Sequence, residues 1–452
     1  MKKIQDDRFY YKALKLFLSY AFSKYFRTIE IKGQENIPQN QPIIFAANHQ
    51  CGLIDPLAVI FFQSEPIVYL ARADIFKNPL IAKLLFFIKV APIYRIRDGF
   101  SHLSKNEQQM EMAVGVLKDS KCLGVMPEGN HGEHHKLRPL VKGIFRIAFK
   151  AEETLEGEKH VYIIPVGLDH SDFEHSGSDL VVTFGKPMCV GDYMESYLEN
   201  PSIGLSTMKQ ALSEELSLLM QDVRSTDYTS TYSLSCYGAG AYLEYMSKNE
   251  LPYGFSTEAG KRFEARSFIT HILDEMEKND SSTYKQLQLL GKDIHQLPAT
   301  ENEITRYLES APSFKTDVWL FLKTLFFAPI LLVNIPSRFI TKQFLNTLED
   351  RQMYHTFAYA IGGLSLLLYQ IVLAISMGLC FGFHFVQTVI AFFALFIWSI
   401  YAERFRSAAR IGFQLFPYRF GNKKARLILA RKALNQIKQI LFAAILDKKE
   451  NR

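Results

Sequence analysis

Short apolar runs rich in β-branched and aromatic residues recur between residues 27 and 185, separated by longer stretches able to form helices. Alternation of this kind predicts an α/β domain in which a mixed sheet is flanked by helices. We place this domain at residues 29–200. The runs are RTIEIK, PIIFAAN, PIVYLAR, VAPIYRI, CLGVMP, VYIIPVG and LVVTFG.

Two long segments near the C-terminus are almost continuously apolar. Phe357–Leu379 contains no charged residue and exceeds the ~20 residues that a helix needs to cross a bilayer. Phe383–Tyr401 has no Lys, Arg, Asp or Glu and ends in Trp398 and Tyr401, a pair typical of the membrane interface. The sequence therefore predicts two spans, 357–379 and 383–401, within a membrane region at residues 314–402.

A third apolar segment, Val318–Ile335, differs from these two. It carries Lys323 and is interrupted by Pro329 and Asn334, which favours an interfacial or re-entrant helix. A third span would also place the basic C-terminus across the membrane from the α/β domain, against the positive-inside tendency.

Both chain ends have amphipathic helical patterns. At the N-terminus, within residues 1–28, one polar stripe runs from Arg8 to Ser23, and we expect an interfacial helix. The basic tail, 403–452, has an apolar face whose natural partners are either a membrane surface or the protein's own domain. That face comprises Leu427, Ala430, Leu434, Ile437, Leu441 and Ile445.

The segment 201–313 is polar, rich in Lys and Glu, and helical in pattern, so it is predicted to be a helical insert. From Ala402 to Arg452 there are thirteen Lys or Arg against three acids, whereas the whole chain has a net charge of only +6. Because the cationic tail follows the apolar segments directly, anionic lipid is a nearer partner than nucleic acid, and no nucleic-acid binding is expected.

Composition fits one catalytic domain with an accessory region. The chain has 452 residues, 48% of them hydrophobic, enough to bury a full α/β core. Its five cysteines are scattered without a C-x-x-C pair, which argues against a disulfide framework or a cysteine zinc site. Lysines interrupt the first apolar stretch, so no signal peptide is recognised and the catalytic part is expected to face the cytoplasm.

Candidate chemistry begins with Asn48-His49-Gln50-Cys51-Gly52-Leu53-Ile54-Asp55-Pro56, which follows an apolar strand. An imidazole at a strand end, with a carboxylate returned to it by the next turn, is the arrangement of a general base and its orienting acid. The alternative is structural, because Asp55 followed by Pro56 is also an ordinary helix N-cap.

Three further segments follow later strands. Ala91–Arg97 ends in Arg95 and Arg97, which could clamp a phosphate or simply be solvated strand-end charges. Met126-Pro127-Glu128-Gly129-Asn130-His131 is trailed by Lys136, Arg138, Lys142 and Arg146, a glycine turn among cations that suits an anionic headgroup. Ile164–Gly167 is predicted to be a strand edge without a reactive side chain.

In this order, the four segments resemble the glycerolipid acyltransferase family, which includes 1-acyl-sn-glycerol-3-phosphate and glycerol-3-phosphate acyltransferases. The resemblance covers roughly Lys32 to Pro187. With its helical insert and C-terminal membrane segment, the chain looks more like the longer members of the family. It implies the glycerolipid acyltransferase fold, with His49 as catalytic base and Asp55 as its orienting acid. It also implies that the acceptor's phosphate is bound by Arg95, Glu128, Gly129, Asn130, Lys136 and Arg138.

Two departures from the family pattern concern this site. His49 and Asp55 are separated by five residues, one more than the usual N-H-x4-D motif, and the turn must be wider. Glu128-Gly129-Asn130-His131 replaces E-G-T-R and lacks its arginine, which Arg95, Lys136 or Arg138 would have to replace. A zinc site built from His131, His134 and His135 with nearby acids is a less favoured alternative, so no metal and no cofactor are expected.

The resemblance implies transfer of a fatty acyl group from acyl-CoA or acyl carrier protein to the hydroxyl of 1-acyl-glycerol-3-phosphate in phospholipid synthesis. Two alternatives stay open within the enzyme class, acylation of glycerol-3-phosphate and of an amino-acid lipid. A membrane lipid-binding protein without turnover is the alternative of another class. The expected location is a bacterial inner membrane, with phospholipid as partner.

Overall fold

The computed structural model describes residues 3–6, 9–93, 103–130, 132, 134–173, 175–310, 313–348 and 354–450. The predicted site residue Arg95, together with Arg8, Arg97, His131 and Glu133, lies outside these ranges. The chain divides into two compact units. Unit 1 comprises residues 1–19, 31–169 and 181–222, and unit 2 comprises residues 20–30, 170–180 and 223–452.

The part of the chain that the structure describes contains one mixed sheet of eight strands, in the order β1-β7-β6-β2-β5-β3-β4, with β8 paired to β6. Strands β2, β3, β4, β5 and β6 pair in parallel, whereas β8 runs antiparallel to β6. All seven runs identified in the sequence form strands, which confirms the α/β fold class. The strands are β1 (Thr28–Lys32), β2 (Ile43–Ala47), β3 (Ile67–Arg72), β4 (Val90–Ile93), β5 (Cys122–Val125), β6 (Tyr162–His170), β7 (Asp179–Phe184) and β8 (Met188–Cys189).

The helices of unit 1 flank these strands. One face of the sheet, represented by Ile44, Val68 and Leu123, is buried against α4, α5 and α7 in a single hydrophobic core. Phe45 points to the other face and contacts Phe184 there. The helices up to the end of this unit are α1 (Phe9–Tyr25), α2 (Ile54–Phe61), α3 (Pro79–Phe87), α4 (Leu103–Lys118), α5 (Gly143–Thr154), α6 (Met194–Glu199) and α7 (Pro201–Leu219).

Parallel pairing fixes where the chemistry-bearing loops lie. Because β2 pairs in parallel with both β5 and β6, the carboxyl ends of these three strands meet at one edge of the sheet. The loop after β2 carries His49, and the loop after β5 carries Glu128. Ligands bind outside the carboxyl ends of strands in open α/β sheets, so this edge is the place to look for a site.

Unit 2 has a helical core of its own, which includes Leu234, Ile269 and Leu287. Its helices confirm the helical pattern read between residues 201 and 313, although α7 belongs to unit 1. They are α8 (Tyr228–Lys248), α9 (Glu258–Asn279), α10 (Ser281–His295), α11 (Glu301–Ser310), α12 (Phe314–Val333), α13 (Ile335–Leu345), α14 (Tyr354–Phe381), α15 (Phe385–Phe420) and α16 (Lys424–Glu450).

The basic tail does not lie on a membrane surface through its apolar face. Helix α16 packs against α8 and α10, and Leu434, Ile437 and Leu441 are at most 2% exposed in the core of unit 2. The membrane-surface interpretation is therefore wrong, and the alternative of packing onto the protein's own domain is correct. Burial against lipid and burial against protein both remove an apolar helix face from water, so the helical pattern of apolar residues does not distinguish the two partners.

Among the described residues, three helices are long and apolar enough to cross a membrane: Lys315–Val333 of α12, α14 and α15. The first of them coincides with the segment that was expected to be interfacial or re-entrant. Helix α15 also runs beyond the predicted span end at Tyr401 and continues to Phe420 without a break. The two-span arrangement remains a prediction.

The exposed face of α1 is apolar. Phe9, Tyr10 and Leu16 are 79%, 75% and 73% exposed, whereas Tyr11 is buried. Such exposure is costly in water, and it agrees with an interfacial helix at the N-terminus.

Candidate active site

His49 and Asp55 are in direct contact. The turn that follows β2 brings Nδ1 of His49 to 2.9 Å from Oδ2 of Asp55. The Asp55 side chain is completely buried, and that of His49 is 15% exposed. A buried carboxylate on Nδ1 holds the imidazole in one orientation and presents its other nitrogen, Nε2, for proton transfer.

Asp55 does not cap its helix. Helix α2 begins at Ile54 with Leu53 at the N-cap, and Asp55 lies inside the first turn. Its Oδ2 accepts hydrogen bonds from the backbone N–H groups of Gln50 and Cys51, each at 2.7 Å. The N-cap interpretation is therefore wrong, because the carboxylate is directed back to the loop that carries His49.

The additional residue between His49 and Asp55 is accommodated by Gly52. This glycine has a φ of +45°, a left-handed conformation that residues with a Cβ adopt at a cost. The turn is thereby wide enough for five intervening residues and still returns the carboxylate to the imidazole.

Asn48 fixes the same loop to the neighbouring strand. Its side-chain Oδ1 accepts from the N–H of Leu168 at 2.7 Å, and its Nδ2 donates to the carbonyl of Leu168 at 3.0 Å. Both bonds are buried, which makes them stronger than solvent-exposed ones. Asn48, the residue before His49, is thus held in position by β6. Because β6 is an interior strand of the sheet, the prediction of a strand edge at Ile164–Gly167 is wrong.

Glu128 supports His49 from the loop after β5. Its Oε1 accepts from the backbone N–H of His49 at 2.7 Å, and its Oε2 accepts from N and Nε of Arg138 at 3.1 and 3.0 Å. Burial raises the pKa of this carboxyl, although these donors act in the opposite direction. Both oxygens of the carboxylate are therefore occupied by donors of the chain itself, and Glu128 links the backbone of His49 to Arg138.

Gly132 and Arg138, from the segment after β5, lie beside the His49 turn. Gly129 has a φ of +70°, and the N–H of Gly132 donates to the carbonyl of His49 at 3.1 Å. Nη2 of Arg138 is buried and has no hydrogen-bond partner in the part of the chain that the structure describes. The guanidinium is therefore held by Glu128 next to the His49 loop with donor capacity remaining.

The other predicted phosphate-binding residues are less closely placed. Asn130 and the Lys136 side chain are exposed to solvent, and Arg95 is outside the described residues. Of the residues considered as zinc ligands, His135 is buried with its Nδ1 3.5 Å from Asp169. Within the described ranges, no group of three or more His, Cys, Asp or Glu side chains is arranged to hold a metal ion.

Tyr69 was not identified from the sequence. Its ring lies across β5, where the position of a Cβ on Gly124 would be only 2.4 Å from ring atoms Cε2 and Cζ. The hydroxyl is buried without a hydrogen-bond partner among the described residues, and burial, together with the Asp55 charge, raises the pKa of Tyr69 well above its ordinary value. The sequence feature that could have indicated this position of Tyr69 is Gly124 in β5, because a glycine in a strand makes room for a large side chain on the neighbouring strand.

Comparisons with known proteins find similar sequences for the part of the chain that carries this site. Residues 28–169 match the acyltransferase family. Over 127 residues the chain is 28% identical to a 1-acyl-sn-glycerol-3-phosphate acyltransferase of Borreliella burgdorferi, covering 28% of this chain and 48% of that protein. A Saccharomyces cerevisiae protein named glycerol-3-phosphate O-acyltransferase 2 is 24% identical over 41% of this chain and 25% of its own length.

Two bacterial proteins complete the comparison. A 1-acyl-sn-glycerol-3-phosphate acyltransferase of Bacillus subtilis is 23% identical over 32% of this chain and 77% of its own length. The crystal structure of the acyltransferase PlsC from Thermotoga maritima is similar with a TM-score of 0.35 and 18% identity, covering 46% of this chain and 79% of that one. The chain spans about half or less of the first two relatives, 48% and 25%.

Proposed function

From the premise that residues 28–169 form an acyltransferase domain of the glycerolipid family, we propose that this protein transfers a fatty acyl group to the hydroxyl of 1-acyl-glycerol-3-phosphate. The observation that carries the proposal is the contact of 2.9 Å between His49 and the buried Asp55. A histidine held in this way is a general base for a hydroxyl nucleophile.

In the proposed reaction, Nε2 of His49 takes the proton of the acceptor hydroxyl as its oxygen attacks the thioester carbonyl carbon. The tetrahedral oxyanion is stabilised by backbone N–H groups. Its collapse breaks the carbon–sulfur bond, and the departing thiolate takes the proton from His49. An ester and a thiol are formed, and the base is regenerated without a covalent acyl-enzyme.

Asp55 and Glu128 have separate tasks in this scheme. Asp55 bonds the imidazole, fixes its tautomer and stabilises the imidazolium that forms during attack. Glu128 bonds the backbone of His49 and so determines where the ring stands relative to the acceptor. Preorganisation of this kind lowers the barrier because the groups need not be ordered during the reaction.

The phosphate of the acceptor is assigned to Arg138, with Lys136 and Arg95 as additional cations. Arg138 is favoured because Glu128 already orients its guanidinium through Nε, and the Nη groups retain the fork geometry that matches phosphate oxygens. It would replace the arginine that the E-G-T-R pattern supplies elsewhere in the family.

Mass-spectrometric product analysis tests the proposal. Purified protein is given acyl-CoA or acyl carrier protein together with 1-acyl-glycerol-3-phosphate, glycerol-3-phosphate or a lyso-amino-acid lipid. We expect the diacyl phosphate product to form fastest. Faster acylation of either other acceptor would correct the substrate, and binding of lysolipid without any product would favour a lipid-binding protein.

A further inference from the structure

Helix α12 ends at Val333 and α13 begins at Ile335, so the chain changes direction at Asn334. By length and composition α12 qualifies as a membrane span. Its contacts with the neighbouring helices of unit 2 determine how deeply α12 can enter the membrane.

Helix α12 runs antiparallel to α15 along the charged half of that helix. This half, from Ser399 to Arg419, carries Glu403, Arg404, Arg406, Arg410 and Arg419, whereas the stretch from Phe385 to Ala402 has no formal charge. The register is set by Asp317 with Arg419 (2.6 Å), Phe327 with Phe405 (ring centroids 5.1 Å apart) and Asn334 with Ser399 (3.4 Å).

Helix α13 then returns along the first half of α14. Its contacts proceed from the middle of α14 towards its N-terminus, which brings the chain back to the level at which α14 begins. The contacts are Asn334 with Gln370 (2.6 Å), Thr341 with Ser365 (3.0 Å) and Phe344 with Phe357 (ring centroids 5.1 Å apart).

A buried polar cluster holds the bend. Nε2 of Gln370 donates to Oδ1 of Asn334 at 2.6 Å and to Oγ of Ser399 at 2.9 Å, and all three residues are completely buried. Hydrogen bonds between side chains of different helices stabilise helix association in an apolar environment. The cluster therefore ties the bend to both α14 and α15 at one level.

An ionic layer lies one helical turn below this cluster. Glu403 pairs with Arg406 at 2.7 Å and lies 3.3 Å from Arg338. Charges of this density belong in the headgroup region. From Glu403 to Phe385 is about 27 Å at ~1.5 Å per residue, close to the ~30 Å hydrocarbon core, whereas the bend at Asn334 is only about 6 Å beyond the layer.

We propose that α12 and α13 form a re-entrant hairpin of which only the bend at Asn334 enters the hydrocarbon, and that α14 and α15 cross the bilayer. The part of α12 next to the ionic layer fits the headgroup region, because Leu325 and Phe326 lie about 6–8 Å to the polar side of that layer and are 57% and 63% exposed. The start of α12 and the end of α13 then lie on the same side of the membrane.

Cysteine labelling tests the sides. In full-length protein with Cys380→Ser, single cysteines replace exposed Ser282 in α10, Thr347 after α13 or Phe383 between α14 and α15. A membrane-impermeant maleimide is applied to intact and permeabilised cells, with the Cys380→Ser protein as control. We expect S282C and T347C to react under the same condition and F383C under the other; reaction of T347C on the side opposite to S282C overturns the hairpin.

Depth measurement gives an independent test. Nitroxides at Leu325 of α12 and Ile375 of α14, both exposed on their helices, are compared in vesicles of phosphatidylethanolamine and phosphatidylglycerol. The hairpin places Leu325 at headgroup level and Ile375 about 14 Å beyond the ionic layer, near the bilayer centre. Equal depth for the two labels would mean that α12 crosses the membrane.

Discussion

Asp55→Asn separates the proposed role of this carboxylate from a structural one. Oδ2 of Asp55 accepts hydrogen bonds from Nδ1 of His49 and from the backbone of Gln50 and Cys51. Hydrogen bonds to a charged acceptor contribute ~1.5–3 kcal/mol and neutral ones ~0.5–1.5 kcal/mol. Loss of about 1 kcal/mol from each bond predicts a decrease of about 3 kcal/mol in the free energy of unfolding.

The effect on turnover is expected to be larger than this loss of stability suggests. An amide no longer fixes the imidazole tautomer or stabilises the imidazolium, so kcat should fall by a factor of ~10²–10⁴. Steady-state acyl transfer in detergent micelles measures kcat, and denaturant unfolding measures stability. The value of KM for the phosphate acceptor should change little, since Asp55 is assigned no contact with it.

Asp74→Asn is the matched control in the same unit. Asp74 pairs with Arg72 at 2.6 Å, but both side chains are nearly half exposed. Exposed ion pairs contribute ~0–1 kcal/mol, so this variant should keep both stability and turnover. If Asp55→Asn retained turnover within about threefold and lost only ~1 kcal/mol, as a simple capping residue does, the catalytic role of the pair would be refuted.

Two other changes test neighbouring parts of the account. Arg138→Lys keeps the charge but loses the guanidinium fork, so KM for the phosphate acceptor should rise about tenfold with kcat little changed. Burial raises the pKa of Asp179, but Arg27 and Arg306 lower it by more, so that the pKa in the folded protein lies below its ordinary value. This carboxylate therefore stabilises the fold at pH values above its ordinary pKa, and the stabilisation is lost as the pH falls through the folded-state pKa. Acid unfolding midpoints of wild type and Asp179→Asn, which should cost about 3 kcal/mol at neutral pH, measure this.

The sheet was predictable because most of its strands are buried on both faces. Such strands give continuous apolar runs bounded by polar loops, and each of the runs found in the sequence forms a strand. Strand order was not predictable, since the pairing of β2 with β5 and β6 depends on residues far apart in the chain. Only β8, with two residues, is too short to give a pattern.

The candidate site was predictable in its local part and not in its distant part. His49 and Asp55 are near one another in sequence, and the turn between them brings them together. The hydrogen-bond partners of Glu128 are His49 and Arg138, and the contact with His49, which lies in another loop, could not be predicted from the sequence. The position of Tyr69 over Gly124 likewise depends on two strands that are far apart in the chain.

The membrane region shows where composition is insufficient. Hydropathy identifies α12, α14 and α15 alike, because it measures transfer to lipid and not position relative to neighbours. The distinction between α12 and the other two comes from register, which places α12 beside the charged half of α15. For the tail, likewise, only tertiary packing decided between lipid and protein as the partner of its apolar face.

Product formation by wild type and His49→Ala, measured side by side, tests the central claim most directly. Both purified proteins receive acyl-CoA, or acyl carrier protein if that is the active donor, with 1-acyl-glycerol-3-phosphate, and the diacyl product is quantified by mass spectrometry. Circular dichroism and membrane attachment verify that the variant is folded. The account predicts product from the wild type and a loss of at least ~10²-fold in the folded variant, since His49 is the only base assigned to the hydroxyl. Near-equal product from both proteins would contradict it.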